Sequence, residues 1–121
     1  MLKLSEREWL VLGALWEAGG CSLGELTQAL YEETGWNRNT VLTYLTRMEA
    51  KGLVAIEKAG YPRRYRAALS REDCRAQARD SFLRQVYRGS TGDLVAAFLK
   101  EKPISPEERA ALRRLLDEME V

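Results

Sequence analysis

Six helix-start signals punctuate this chain, and they leave little freedom in how it can fold. Ser5 with Glu8, and Ser22 with Glu25, have capping-box spacing, in which the serine hydroxyl takes an amide three residues on and the glutamate returns to the serine amide. Asn37 is an N-cap. Ser70 stands three residues ahead of Asp73, Ser90 opens a further helix, and Ser105-Pro106-Glu107-Glu108 sets N-cap, N1 proline and N3 glutamate in order. The stops are Gly19-Gly20, Gly35, Gly52 and Gly89. A chain of 121 residues cut at these points is a series of short helices with enough mass for one modest core.

Apolar spacing assigns each helix an inner face. Trp9, Leu12, Leu15 and Trp16 form the first stripe, broadened by Leu10 and Val11; Leu26, Ala29 and Leu30 form the second; Val41, Leu45 and Met48 form the third. After Gly52 the pattern changes. Leu53–Glu57 reads as a strand, Ala59-Gly60-Tyr61-Pro62 as a turn, and Arg63–Ala67 as the returning strand. Three short helices followed by a β-hairpin is the element order of a winged helix-turn-helix. The expected fold class is therefore mainly α (α+β), with the winged helix-turn-helix over residues 1–69 and a three-helix dimerisation region over residues 70–121.

The C-terminal region poses a burial problem. Its helices carry Cys74, Ala78, Phe82 and Val86, then Leu94, Val95, Phe98 and Leu99, then Leu112, Leu115, Leu116 and Met119. So few large residues hardly make an independent core. Folding back on the winged helix is one solution. Mutual coverage by two copies is the one favoured here, with Phe82, Val86, Leu94, Phe98, Leu112, Leu115, Leu116 and Met119 as the expected dimer interface.

Charge is distributed unevenly along the chain. The formal net charge is +1, yet residues 1–35 carry −4, residues 36–69 carry +5 and residues 70–121 carry zero. The central cations are Arg38, Arg47, Lys51, Lys58, Arg63, Arg64 and Arg66. A basic segment between acidic and neutral flanks is the pattern of a local polyanion-binding surface. The absence of histidine removes imidazole acid–base chemistry and the usual zinc sites. Cys21 and Cys74 lie far apart in unlike contexts and read as small hydrophobes rather than a redox pair. No apolar run approaches the length of a membrane span. The stretch Met1–Trp9 lacks the layout of a signal peptide, so a cytoplasmic protein without membrane insertion is expected.

The third helix carries the chemistry of a recognition helix. Thr40, Thr43, Tyr44 and Arg47 fall on a face beside the inner stripe, with Arg38 and Asn39 at the first turn. Hydroxyls and amides reach base edges or phosphates, threonine methyls and a tyrosine ring meet thymine methyls, and arginine pairs with guanine or phosphate. Amides at the helix start add a phosphate site. The hairpin places Arg63, Arg64 and Arg66, with Lys58 opposite, where a wing lies along the DNA backbone. Alternation sets Tyr65 on the core side. The expected DNA-binding set is Arg38, Asn39, Thr40, Thr43, Tyr44, Arg47, Arg63 and Arg64, on double-stranded DNA.

These residues sit in a longer pattern. It runs Leu4-Ser5…Glu8-Trp9…Leu12…Leu15-Trp16-Glu17, then Trp36-Asn37-Arg38-Asn39-Thr40-Val41…Thr43…Leu45…Arg47-Met48…Lys51-Gly52-Leu53. It continues through Gly60…Tyr65, Ser81-Phe82-Leu83…Tyr87…Gly89-Ser90 and Ser105-Pro106-Glu107-Glu108…Leu112. Nearly the whole chain in this register resembles the penicillinase/methicillin-resistance repressor family of bacterial regulators. The resemblance implies a homodimer that blocks transcription from an inverted-repeat operator, with DNA contacts at Asn39, Thr40, Thr43, Arg47 and the wing. It also implies a membrane-embedded, β-lactam-sensing metalloprotease as partner, cutting near Ala97-Phe98; Ala97 stands where the family has asparagine. Asn37-Arg38-Asn39 departs from the usual recognition-helix start, so a different operator is expected.

Other classes fit less well. Copper-responsive repressors share the winged half but carry C-terminal cysteine clusters, whereas this chain ends Asp117-Glu118-Met119-Glu120-Val121. Neither metal nor cofactor is expected. Winged helices also serve as protein-interaction modules, which need no run such as Arg63-Arg64-Tyr65-Arg66. An enzyme lacks support: there is no Gly-rich phosphate loop, and Glu32-Glu33 and Glu107-Glu108 fall at helix ends, where capping or solvation explains them.

Overall fold

A computed structural model describes residues 3–119. The order is α1 (Glu6–Ala18), α2 (Leu23–Thr34), α3 (Arg38–Ala50), β1 (Val54–Glu57), β2 (Arg64–Ala67), α4 (Arg71–Tyr87), α5 (Thr91–Glu101) and α6 (Pro106–Glu118). This is the expected α+β winged helix-turn-helix order followed by three helices. Among the described residues, no helix is long and apolar enough to cross a membrane. Two compact units are present, Met1–Arg79 and Asp80–Val121.

In the first unit, the caps form where the sequence places them. Ser5 Oγ accepts the Glu8 amide (3.1 Å) while Glu8 Oε1 accepts the Ser5 amide (2.9 Å). Ser22 and Glu25 repeat this at 3.2 and 2.9 Å. The core gathers Val11, Leu12 and Leu15 of α1, Leu26 and Leu30 of α2, and Val41, Leu45 and Met48 of α3. Leu53, Val54 and Tyr65 close it from the hairpin, with Cys21 and Cys74. Each fully buried leucine contributes about 1.5–3 kcal/mol. Ala29, expected inside, is exposed. The buried side of α2 runs through Leu23, Leu26, Thr27 and Leu30, and Ala29 falls off that stripe.

The wing is a two-stranded antiparallel sheet with Ile56 opposite Tyr65 and Glu57 opposite Arg64. Cys21 adds one rung: its amide donates to the Tyr65 carbonyl (3.0 Å) and its carbonyl accepts the Tyr65 amide (2.7 Å). Gly19 and Gly20, at φ 68° and 111°, make the turn that brings this rung in beside β2. The hairpin is thereby tied to the end of α1.

Ser70 Oγ accepts the Asp73 amide (3.0 Å) and starts α4. Trp16 Nε1 donates to the Leu69 carbonyl (2.9 Å), and Arg71 pairs with Glu17 (3.0 Å) while lying over the Trp16 ring. Cys74, fully buried one turn later, makes the opening of α4 part of this unit's core.

The second unit contains the end of α4, with α5 and α6. No described residue after Cys74 is fully buried. Phe82 and Tyr87 meet at 5.9 Å between ring centroids, but both α5 and α6 keep their apolar side chains largely in solvent.

Candidate nucleic-acid interface

Asn37 Oδ1 accepts the Thr40 amide (2.9 Å) and fixes where α3 starts. That choice sets the helix phase. Val41, Leu45 and Met48 are 0% exposed, so the opposite side is committed to solvent. The outward residues are Arg38, Asn39, Leu42, Thr43, Thr46 and Arg47. Thr43 Oγ1 donates to the Asn39 carbonyl (2.9 Å), which holds its rotamer and leaves the hydroxyl oxygen to accept.

Six of the eight residues expected to contact DNA are exposed: Arg38, Asn39, Thr43, Arg47, Arg63 and Arg64. Thr40 and Tyr44 are half-buried. The Tyr44 ring lies stacked on Trp36, with centroids 4.5 Å apart and planes 12° apart, against the edge of the core. Leu42 and Thr46 are not among the expected contacts, although the 41-45-48 inner stripe defines both as outward. Tyr61, at the turn, is not among them either, since periodicity gives no signal there.

The seven cations of residues 36–69 divide by what already occupies them. Lys51 pairs with Glu8 (2.9 Å) and Lys58 with Glu49 (3.8 Å). Arg64 Nη2 donates to the Gly20 carbonyl (2.8 Å), buttressing the turn behind the wing. Among the described residues, Arg38, Arg47, Arg63 and Arg66 have no ion pair. These four are the charges available to a polyanion, and they lie at both ends of the exposed face of α3 and along the wing.

Exposed large hydrophobics are rare in this unit. Among the described residues of Met1–Arg79 they are Tyr31 (62%), Leu42 (39%) and Tyr61 (99%). Tyr31 and Tyr61 both adjoin Arg38. Arg38 Nη1 rests 3.2 Å from where a Cβ on Gly24 would stand. From there it lines two adjoining hollows, one bounded by Tyr31 and the other by Tyr61 and Arg63. Leu42 follows Arg38 by one helical turn. Arg38, which has no ion pair among the described residues, thus adjoins two of the three exposed apolar side chains in space, with Glu32 also lining the Tyr31 hollow.

Both cysteines are buried. Burial pushes the Cys21 thiol up, with nearby Glu25 adding to it against Arg64. Burial, then Asp73, does the same for Cys74. Both are thiols at neutral pH, and among the described residues no His/Cys/Asp/Glu group is arranged to hold a metal.

In the second unit, the residues assigned by sequence to a dimer interface are Phe82, Val86, Leu94, Phe98, Leu112, Leu115, Leu116 and Met119. All are exposed except Leu94, which is half-buried; Leu116 and Met119 reach 65% exposure. Ala97 and Phe98 lie inside α5, with Ala97 half-buried and Phe98 exposed.

The family model described as "Penicillinase repressor" matches residues 4–118. The methicillin resistance regulatory protein MecI of Staphylococcus aureus (strain N315) is 24% identical over 115 residues, covering 95% of this chain and 94% of that one. An uncharacterized 16.5 kDa protein of Latilactobacillus sakei is 24% identical over 114 residues, 94% of this chain and 78% of its own length. Among solved structures, the monomeric form of Bacillus licheniformis BlaI in complex with the blaP half-operator has a TM-score of 0.53 at 24% identity. That likeness covers 60% of this chain and 88% of that chain. A MarR family protein from Bacillus stearothermophilus gives 0.53 at 23% identity over 97% and 73%. Both structural likenesses concern the fold.

Proposed function

Because this chain belongs to the penicillinase repressor family, and is therefore a DNA-binding transcriptional repressor rather than an enzyme, we propose the finer reading that it acts as a homodimer on an inverted-repeat operator. In that reading α3 reads bases in the major groove, through Asn39, Thr43 and Arg47. Arg38, Arg63 and Arg66 hold phosphates on either side. The observation that carries it is the pairing of four arginines lacking carboxylate partners with a polar outward face on α3. Gel-shift titration with duplex DNA across a salt series tests it. Two chains offering these arginines should give a log–log salt slope of roughly −4 or steeper. Binding that ignores salt, or no binding, would overturn the reading.

The homodimer is supported by the second unit, which exposes Phe82, Val86, Phe98, Leu112, Leu115, Leu116 and Met119 without a core of its own. Exposed apolar area on this scale is what a partner copy removes from water.

For release, the family resemblance implies cleavage near Ala97-Phe98 by a membrane metalloprotease responding to β-lactams. The bond lies within α5, so a protease must open a helical turn to reach it, and Phe98 is the exposed anchor beside it. Mass spectrometry of the chain from β-lactam-treated cells should find a fragment beginning at Phe98. An intact chain on a derepressed promoter would exclude this route.

A further inference from the structure

Leu42 is out of place on the outer face of α3. Its neighbours there, Asn39, Thr43, Thr46 and Arg47, are polar, and the core side of the helix is already complete with Val41, Leu45 and Met48. Leu42 stands outside the core cluster and leaves 39% of its surface in water in the middle of a polar face. On this face of α3 Leu42 is the one large apolar residue, and Tyr31 and Tyr61 line hollows that do not include it, so the apolar area here is smaller than a protein partner would need. The major groove presents one apolar feature of matching size, the C5-methyl group of thymine. Tyr44, the aromatic candidate for that contact on this helix, is stacked on Trp36 at the edge of the core.

We propose that Leu42 is a specificity-determining residue that selects a thymine in each half-site by packing on its C5-methyl, between the hydrogen-bonding groups of Asn39 and Thr46. The inference rests on α3 being the reading element and adds which base type its centre requires. The spacing supports this assignment. Leu42 lies one turn after Arg38 and Asn39 and one turn before Thr46, midway along the exposed face.

The test uses the full chain and a duplex selected on it from a random pool. Each thymine is replaced singly by deoxyuridine, which deletes the methyl and leaves every hydrogen-bonding group in place. At one thymine per half-site the wild-type chain should lose about fourfold in affinity, the worth of one buried methyl-sized group. L42A should bind the thymine and uracil duplexes equally, and L42M, which keeps an apolar contact, should retain the preference. Thermal melts of both variants check folding, and the wild-type uracil scan stands without any variant. Duplex binding with no methyl-sensitive thymine overturns the proposal and leaves the repressor reading intact. Methyl sensitivity that persists in L42A assigns the contact to Thr43 or Thr46 and also overturns it. No selected duplex at all defeats both readings.

Discussion

Glu8 is the buried charged side chain among the described residues, and its partners explain why it is tolerated. Its carboxylate accepts the Ser5 amide through Oε1 and the Lys51 ammonium through Oε2, at 2.9 Å each. One residue thus caps α1 and ties it to the end of α3. Burial pushes the Glu8 carboxyl up, but the Ser5 amide and Lys51 outweigh it and hold it below the ordinary value. A depressed native pKa means the stabilisation is complete above the unfolded value, about 4.3, and is lost as pH falls through the native value. Urea midpoints should therefore drop between pH 5 and pH 3. E8Q should lower stability at pH 7 by about 1–2 kcal/mol and flatten part of that drop. Parallel pH profiles for the two proteins would contradict this. In the sequence Glu8 reads as a cap alone, because its ion pair joins residues 43 positions apart.

At the scale of elements, helix punctuation was the most legible part of this chain. Ser5, Ser22, Asn37, Ser90 and Ser105 all cap helices, since caps are local chemistry within four residues. The inner stripe of α3 was legible for the same reason. What escaped was set by distance: the Cys21–Tyr65 rung, Arg64 held to the Gly20 carbonyl, and Tyr44 stacked on Trp36 all depend on tertiary contacts. The outward face of α3 follows once its phase is known, and Arg47 is the cation near its far end. R47A should cost about 1–3 kcal/mol and relax specificity at one base step if the guanidinium is bidentate to guanine. Affinity measured on the selected site and on its single-base variants checks this. An equal loss on every sequence, with a shallower salt slope, would mark a phosphate contact instead.

For the whole molecule, the two units raise different physical questions. The first is a closed structure: its core is complete, its caps are made, and its exposed large hydrophobics among the described residues are Tyr31, Leu42 and Tyr61. The second has helices without a core. Composition announced that shortage in the sequence, but which copy or element covers the apolar faces is a matter of assembly and is not written in any local spacing. In the proposed homodimer α6 and its neighbours pair two chains, and that pairing would present two copies of α3 to one duplex. The most direct test is selection of duplexes from a random pool, run side by side on the wild-type chain and on a variant carrying L115D and L116D, with sedimentation of each protein. The wild type should sediment as a dimer and select an inverted repeat whose half-sites lie about one helical turn apart or a multiple of it. The variant should sediment as a monomer and select the half-site alone, with much weaker binding. A wild type that selects a single unrepeated site, or a variant that keeps both the dimer and the inverted repeat, would contradict the account.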